Sequence, residues 1–222
     1  MPVEMMAPEA DLRYEYDLRG QGFVSVAGLD EAGRGAWAGP VVAGAVILPL
    51  HHFDLAHTLA GVNDSKLLSP AAREALVPRI TETAVASGIG YATHAEIDEL
   101  GIVPATRLAM QRALAALAVW PDALLTDWML LPDVTLPCTA LIRGDRKSMS
   151  IAAASIIAKV TRDHFMDDLD DLFPQYGFRV HKGYGTPLHQ QGLRHFGPVE
   201  VHRMTFAPLR AILKARQGDE NA

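Results

Sequence analysis

Residues 28–40 read "GLDEAGRGAWAGP" and join two apolar, β-branched runs, "GFVSVAGLD" at 22–30 and "PVVAGAVIL" at 40–48. Runs of this kind, connected through glycines, predict two neighbouring strands that form a hairpin or a tightly linked pair. Two adjacent carboxylates, Asp30 and Glu31, stand at the end of the first run. Like charges at the end of a buried strand repel each other and lose hydration, so they require a cation nearby.

The rest of the chain alternates between helical and strand patterns. The predicted elements are a helix over 69–86, a strand over 89–95, a helix over 104–118, strands over 123–130 and 139–145, and a helix over 148–173. Ser69 and Pro70 are typical of a helix N-terminus. Two strands followed by alternating helices and strands predict one α/β domain, with a mixed sheet and helices on its faces.

The composition is that of an ordinary globular protein, with 49% apolar and 21% charged residues among 222. The longest apolar run, at 36–50, is interrupted by Pro40 and is shorter than the ~20 residues that span a bilayer. The first twenty residues lack the basic and apolar regions of a secretory signal, so we expect a cytoplasmic protein without a membrane partner. A lone cysteine, Cys138, excludes an internal disulfide and a cysteine-based zinc site.

Charge is distributed unevenly along the chain. The formal net charge of −6 by itself argues against a nucleic-acid partner. Between Leu172 and Arg216, however, seven Lys or Arg residues stand against a single acid, Glu200. A basic C-terminal quarter suits a protein that binds phosphates, with Lys182 and Arg194 as candidate contacts. The alternative is a solvated basic tail.

Four acids stand at the ends of predicted strands, namely Asp30, Glu31, Asp127 and Asp145. Strand ends gather at one edge of an open α/β sheet, so acids from separate strands can converge there. Carboxylates without cysteine or grouped histidine favour hard cations, that is Mg²⁺ or Mn²⁺. A pair of such ions suits phosphodiester hydrolysis. Any one of these acids taken alone could equally be a loop or helix-cap residue.

The glycine loop also fits a rival motif. Residues 33–38 match the dinucleotide-binding pattern G-x-G-x-x-A after a strand, with Asp54 at a suitable distance. That fingerprint requires a helix that begins at the loop, whereas Gly39 and Pro40 lead into a strand sequence. We therefore expect the glycines to allow close main-chain approach to a ligand, with Arg34 available for a phosphate.

The chain contains the blocks "GLDEAGRGAWAGPVVAGAVIL", "NDSKLLS", "EIDELGI", "GDRKSMSIAAASIIAKVTRDHFM", "YGFRVHKGYGTPLHQQGL" and "HRMTF". In this order, from about Val24 to Phe206, they resemble the type 2 ribonucleases H, and specifically the ribonuclease HII family. The resemblance implies a ribonuclease H-like fold, with a five-stranded mixed sheet flanked by helices and a helical C-terminal part. It also implies endonucleolytic hydrolysis of RNA in RNA–DNA hybrids, including cleavage at single ribonucleotides embedded in duplex DNA.

The resemblance assigns catalysis to four acids. It implies that Asp30, Glu31, Asp127 and Asp145 bind two magnesium or manganese ions. One departure is Trp128, which follows Asp127 where the family usually has glycine.

The resemblance also assigns substrate recognition. It implies that Gly33, Arg34 and Gly35 recognise the ribose 2′-hydroxyl and the neighbouring phosphate largely through main-chain atoms, and that Tyr184 stacks at the RNA–DNA junction. Glycine permits the close approach that recognition of a 2′-hydroxyl requires.

Within one domain over 1–222 we expect a catalytic core at about 20–172 and a basic, helical, substrate-binding part at about 173–216. Ribonuclease HIII would carry a sizeable domain ahead of the acidic pair. Only 29 residues precede Asp30, so the HII type is expected. A monomer is expected as well.

Weaker candidates remain beside these. Lys66 is a candidate phosphate contact in the loop that follows Asp64, and His181 could contact substrate or be a surface cation. Ser155 and Lys159 have the spacing of a serine–lysine dyad, but the alanine-rich sequence around them favours a tightly packed helix. Two alternative functions also stay open: another metal-dependent nuclease on the same fold, and a non-catalytic protein that binds duplexes.

Overall fold

The computed structural model describes residues 10–219, and the side chains of residues 10–214. Its strands are β1 (Val26–Ala32), β2 (Val41–Ile47), β3 (Ala86–Ala92), β4 (Ala123–Asp127) and β5 (Cys138–Leu141). Its helices are α1 (Arg13–Gly20), α2 (Leu55–Thr58), α3 (Pro70–Thr83), α4 (His94–Leu100), α5 (Ile102–Ala115), α6 (Met149–Leu172), α7 (Phe178–His181), α8 (Pro187–Phe196) and α9 (Ala207–Asp219). The expectation about a secretory signal falls partly on residues 1–9, which lie outside the described part.

The strands form one mixed sheet in the order β3-β2-β1-β4-β5. β1 pairs antiparallel with β2, with Leu29 opposite Ala45, which confirms the predicted strand pair. β2 also pairs antiparallel with β3, whereas β4 lies parallel to both β1 and β5. The loop of residues 33–40 leads from β1 into β2 and not into a helix, so the dinucleotide-binding interpretation is excluded.

The parallel pairing of β1 with β4 brings two of the predicted acids to one edge of the sheet. Leu29 of β1 lies opposite Thr126 of β4. The residues that follow them, Asp30 and Asp127, therefore stand side by side where the strands end.

Asp145 reaches the same edge by another route. β5 ends at Leu141, four residues earlier than the predicted strand over 139–145. The chain then turns through Arg143, whose φ is 56°, into the short 3-10 helix Gly144–Arg146 that carries Asp145. Asp145 therefore follows its strand by one turn and does not end it.

Helix α6 packs across β1 and β2 at very short range. A Cβ on Gly28 of β1 would lie 2.2 Å from the carbonyl carbon of Ser150, and a Cβ on Gly44 of β2 would lie 2.5 Å from the carbonyl oxygen of Ala154. Only glycine leaves room for this approach. The predicted helix over 148–173 is confirmed, as is its tight packing, while α5 covers the other face of the sheet.

Two predicted strands are shorter or displaced in the structure. The strand predicted over 89–95 lies at 86–92, because Thr93 and Glu96 form a capping box that starts α4. The strand predicted over 123–130 ends at Asp127, because Trp128 adopts a left-handed backbone with a φ of 50°.

Helix α1 has no counterpart among the predicted elements. Its Glu15 is buried and accepts hydrogen bonds from the Ser148 hydroxyl at 2.6 Å and from the Ser150 N–H at 2.8 Å. These bonds join α1 to the start of α6, directly after the segment that carries Asp145.

The helices after α6 confirm the expected helical C-terminal part. Phe178 of α7 and Leu193 of α8 share an apolar cluster with Met166 of α6.

The division into a core over 20–172 and a substrate-binding part over 173–216 stays a prediction, as do the monomeric state and the cytoplasmic location. Within residues 10–219, none of the helices combines the length and the hydropathy needed to cross a membrane.

Candidate active site

Three carboxylates meet at the sheet edge where β1 and β4 end. Asp30, Asp127 and Asp145 each offer one oxygen to a group whose atoms all lie within 4.8 Å of one another. Asp30 and Asp145 are both 3% exposed. The Gly144 N–H donates to Asp127 Oδ1 at 2.8 Å, which ties the end of β4 to the short helix that carries Asp145. The structure thus brings three of the four predicted acids together.

The charges of this cluster are unfavourable without a cation. Burial raises the pKa of Asp30 well above its ordinary value, and the neighbouring carboxylates of Glu31 and Asp127 raise it further. Burial also raises the pKa of Asp145. Buried carboxylates that repel one another are stabilised in their charged form when a cation lies among them. The cluster therefore has the chemistry of a divalent-metal site.

Glu31 lies beside this cluster. Its Oε1 accepts a hydrogen bond from the Trp128 indole N–H at 3.3 Å. Its Oε2 is buried and accepts no hydrogen bond from the described part of the chain. A buried carboxylate oxygen without a donor is costly, and a bound cation would satisfy it. The oxygen ligands that these four acids offer fit a hard divalent ion.

Lys66 reaches the same acids. Its Nζ lies 3.3 Å from Asp145 and 3.9 Å from Asp64, and Asp64 in turn accepts a 2.9 Å hydrogen bond from Arg146. Burial lowers the pKa of Lys66, but the carboxylates of Asp30, Asp145 and Asp64 outweigh this effect and raise it. The ammonium is therefore charged, and its side chain is exposed enough to meet a phosphate.

A buried arginine from the far end of the chain fixes the loop of residues 33–35. Arg203 donates to the carbonyl oxygens of Gly33 at 2.7 Å, Arg34 at 2.9 Å and Gly39 at 3.0 Å. Neither the Arg34 N–H nor the Gly35 N–H donates to another residue of the described chain. Because C=O and N–H point in opposite directions across a trans peptide, these two N–H groups face away from Arg203.

Glycine is required in this loop for two different reasons. Gly33 has a φ of 89°, and a Cβ there would lie 1.8 Å from Nε of Arg162. A Cβ on Gly35 would meet nothing within 4 Å, since Gly35 faces the open cleft. Gly33 is therefore needed by the fold, whereas Gly35 leaves space for a ligand.

A second buried arginine ties the loop of residues 33–40 to the segment that carries Tyr184. Arg162 of α6 donates to the carbonyl oxygens of Ala38 at 3.1 Å, Pro40 at 2.9 Å and Lys182 at 2.9 Å. The sequence pattern did not indicate these roles of Arg162 and Arg203. Both lie in the blocks that resemble ribonuclease HII, but a block does not reveal whether an arginine contacts substrate or its own loop.

Tyr184 faces the cleft from the loop between α7 and α8. Its ring centroid lies 5.6 Å from the guanidinium carbon of Arg162, and its carbonyl oxygen lies 3.1 Å from Nδ1 of His189. The residue is 38% exposed. The phenol is thus supported from inside the protein and is open to a ligand on the other side.

Most of the predicted site residues line one cleft of about 560 Å³, whereas Asp145 lies beside Asp30 and Asp127 without being among the described lining residues. The predicted site residues on its walls are Asp30, Glu31, Gly33, Arg34, Gly35, Lys66, Asp127 and Tyr184.

Lys159 also lines the cleft, although the sequence singled this residue out only as a possible partner of Ser155. Ser155 is buried and donates to the Ala152 carbonyl at 2.9 Å, while Lys159 donates to Asp163 at 2.6 Å. These bonds favour the packed helix over the dyad.

Three other candidates lie elsewhere. Lys182 donates to the Asp167 carboxylate, and Arg194 lies in the last turn of α8; neither is among the described residues that line the cleft. Their roles in substrate binding stay predictions. His181 is not a surface cation: it is buried, and its Nε2 lies 2.8 Å from the Tyr176 carbonyl oxygen.

Comparison of the sequence with known proteins agrees with the resemblance to ribonuclease HII. The chain matches the family model described as "Ribonuclease HII" over residues 27–209. It is 52% identical over 208 residues to Ribonuclease HII of Chloroflexus aurantiacus, an alignment that covers 93% of this chain and 98% of that protein.

Solved structures show the same fold. Ribonuclease H2 from Pyrococcus horikoshii OT3 is 27% identical with a TM-score of 0.73, and the match covers 87% of this chain and 99% of that one. Ribonuclease HII from Archaeoglobus fulgidus, solved as a complex with PCNA, is 27% identical with a TM-score of 0.69 over 83% and 96% of the two chains. The expected ribonuclease H-like fold is therefore confirmed, and the chain belongs to the ribonuclease HII family of metal-dependent ribonuclease H endonucleases.

Proposed function

We propose that this chain hydrolyses the RNA strand of RNA–DNA hybrids and cuts on the 5′ side of a single ribonucleotide embedded in duplex DNA. The products carry 3′-hydroxyl and 5′-phosphate ends. The observation that carries the proposal is that one cleft is lined both by Asp30 and Asp127 of the carboxylate cluster and by the loop of residues 33–35.

The acids at the cleft supply the ligands for two Mg²⁺ or Mn²⁺ ions. Asp30, Asp127 and Asp145 hold them, with Glu31 beside the cluster. Ions held by these acids would supply polarisation of the scissile phosphate and a lowered pKa of water, which would allow water to be the nucleophile. Lys66, which carries a positive charge next to Asp145, contacts the phosphate backbone.

Recognition of ribose falls to the loop of residues 33–35. The N–H groups of Arg34 and Gly35 have no acceptor within the described chain and face away from Arg203. Such main-chain donors can bind a 2′-hydroxyl oxygen or a phosphate oxygen. A deoxyribose offers no 2′-hydroxyl, so this contact distinguishes RNA from DNA. The open space at Gly35 lets the sugar approach closely.

Tyr184 marks the position of the nucleotide that follows the ribonucleotide. Arg162 supports its ring from inside the protein, and the exposed part of the ring faces the same cleft. An aromatic ring fixed in this way can stack on a sugar or base. The site would therefore recognise a ribonucleotide and its neighbour together.

The proposal is tested with a labelled DNA duplex that bears one ribonucleotide, incubated with Mg²⁺, with Mn²⁺ or with a chelator. We expect a single metal-dependent cut on the 5′ side of the ribonucleotide. A product with a 2′,3′-cyclic phosphate, or an intact duplex, would contradict the proposal. Cleavage of an all-DNA duplex would instead support another nuclease on this fold, and binding without hydrolysis would support a non-catalytic duplex-binding protein.

A further inference from the structure

Trp128 has a backbone conformation that bulky residues rarely adopt. Its φ of 50° lies in the left-handed region that favours glycine, and the residue directly follows Asp127 at the end of β4. In the described chain only two other non-glycine residues, Arg143 and Lys182, have a positive φ. A tryptophan keeps such a conformation when contacts of its side chain offset the backbone strain.

The indole ring makes two contacts inside the cleft. Its N–H donates to Glu31 Oε1 at 3.3 Å. Its face receives the guanidinium of Arg34, whose Cζ lies 4.1 Å from the ring centroid. A cation over the face of tryptophan is attracted by the quadrupole of the ring. One side chain thus joins the acidic pair to the arginine of the substrate-recognition loop.

The main chain and the side chain of Arg34 are fixed by different neighbours. Its carbonyl oxygen accepts the hydrogen bond from Arg203 at 2.9 Å. Its guanidinium lies over the ring of Trp128, and its positive charge also acts on Glu31, where it opposes the rise that burial causes in the pKa of that carboxyl. A guanidinium held over a ring can direct the N–H donors that point away from the ring at a phosphate.

We propose that Trp128 is a positioning residue for the reaction. Its ring holds the Arg34 guanidinium ready for a phosphate of the nucleic acid, and its N–H orients Glu31 beside the carboxylate cluster. This inference deepens the proposed function and rests on it. The two roles are separable, because Trp128→Phe keeps an aromatic face without the N–H, whereas Trp128→Gly removes both and suits the left-handed backbone.

The role of the ring is tested by binding of a fluorescently labelled RNA–DNA hybrid, measured by anisotropy without divalent metal. We expect Trp128→Gly to weaken binding about threefold to fivefold and Trp128→Phe to change it less than about twofold. Arg34→Ala should weaken binding in the wild type but add less than about twofold in the Trp128→Gly background. Additive effects of the two substitutions, or equal losses in Trp128→Phe and Trp128→Gly, would contradict the proposal.

The role of the N–H is tested by calorimetric titration with Mn²⁺. Both Trp128→Phe and Trp128→Gly should bind Mn²⁺ about tenfold more weakly, since loss of an outer hydrogen bond to a metal ligand has effects of this size. Trp120→Phe, an exposed tryptophan away from the cleft, should bind as the wild type does. Wild-type Mn²⁺ affinity in both Trp128 variants would overturn the proposal.

Neither measurement depends on cleavage, so the inference and the proposed function can fail separately. A wild-type enzyme that leaves the single-ribonucleotide duplex intact refutes the proposed function alone. Thermal unfolding of each variant verifies that a change in affinity is not a loss of fold.

Discussion

Asp127 combines a structural contact with a place in the acidic cluster. It accepts the Gly144 N–H at 2.8 Å and offers an oxygen to the group with Asp30 and Asp145. An asparagine at this position keeps a carbonyl oxygen for Gly144 but brings no charge to the cluster. The substitution therefore separates the two contributions.

We expect Asp127→Asn and Asp145→Asn each to reduce turnover at least about 100-fold, because each would remove a charged ligand of the proposed metal site, which costs more than loss of an outer partner. The melting temperature should stay the same or rise, since one repelling charge leaves the cluster. Steady-state cleavage and thermal unfolding measure the two effects. The control is Asp133→Asn, an exposed acid near Gln111. Near-normal cleavage by Asp127→Asn at saturating metal would show that Trp128 marks a different site geometry.

Tyr184→Ala should lose a stacking contact worth roughly 1–3 kcal/mol. We expect it to impair cleavage at a single ribonucleotide more than cleavage of a long RNA–DNA hybrid, because the long hybrid offers many binding registers. Both substrates are compared under identical metal concentrations. Tyr91→Ala is a matched control, because Tyr91 is also 38% exposed but lies outside the cleft. Equal losses on the two substrates would contradict a junction-specific role.

Two buried arginines connect elements that are distant in the sequence. Arg203 binds carbonyl oxygens of the loop between β1 and β2, and Arg162 of α6 binds both that loop and the Lys182 carbonyl near Tyr184. Burial lowers the pKa of Arg203 to about 9, so the group stays charged near neutral pH while its hydrogen bonds compensate for lost hydration. These two arginines thus hold the loop between β1 and β2 by hydrogen bonds that need no ligand.

Arg203→Met should therefore destabilise the protein by about 2–4 kcal/mol, because it leaves three carbonyl oxygens without their donor. Arg210→Met, which removes an exposed arginine from α9, should change stability by less than about 0.5 kcal/mol. Urea unfolding compares the two variants. A loss for Arg203→Met no larger than that for Arg210→Met would show that Arg203 does not fix the loop.

A chain of neutral histidines links α8 to the segment that precedes α9. The Val199 N–H donates to Nδ1 of His202 at 3.0 Å, and Nε2 of His202 lies 3.1 Å from Nε2 of His189. Nδ1 of His189 can then donate to the Tyr184 carbonyl oxygen at 3.1 Å. Nδ1 of His202 also lies 3.1 Å from the Val199 carbonyl oxygen, and two neutral rings are enough to place one proton between each bonded pair of atoms.

Burial lowers the pKa of His189 to about 3 and that of His202 to about 4. In the unfolded chain these rings become protonated near pH ~6.5. Their contribution to the free energy of unfolding is therefore complete above that pH. It is lost as the pH falls from there toward the folded-state values. His202→Gln should lower the free energy of unfolding at neutral pH. It should also reduce the slope of that free energy against pH, between about pH 6.5 and 4.5, by about 1.4 kcal/mol per pH unit.

Chemical denaturation over this pH range measures the slope. His51→Gln, at an exposed histidine, should keep the wild-type slope. A slope for His202→Gln that is as steep as the wild type would exclude His202 as a source of the acid instability.

Across the whole molecule, the basic C-terminal quarter carries less available charge than its residue count indicates. Arg179 pairs with Asp171 of α6, and Lys182 bonds to Asp167 of the same helix. Arg203 is buried against its loop. The acids at the end of α6 therefore neutralise part of the quarter that follows them.

Affinity for an RNA–DNA hybrid should still fall as salt rises, because phosphate contacts release counterions. We expect Arg194→Gln to weaken binding uniformly across sequences and to reduce the salt slope by about 1. Lys182→Gln should likewise weaken binding and lower the salt slope. Anisotropy between about 50 and 200 mM salt measures both slopes, and an affinity independent of salt would rule out phosphate binding by this part.

The sequence by itself determined the strand pair around residues 28–40, the long helix α6, the four candidate acids and the family. Apolar periodicity and turn glycines act over a few residues, so they can be interpreted without coordinates. Even there, the end of β4 required the left-handed backbone at Trp128, and the position of β3 required the capping box at Thr93.

Only the tertiary structure decided what each polar side chain contacts. Arg203 and Gly33 lie 170 positions apart, and Trp128 and Glu31 lie 97 apart. Nothing local distinguishes an arginine that binds its own loop from one that binds a phosphate. The difference depends on which carbonyl and carboxylate oxygens the packed elements bring within hydrogen-bond distance, and on how much water the fold leaves around the charge.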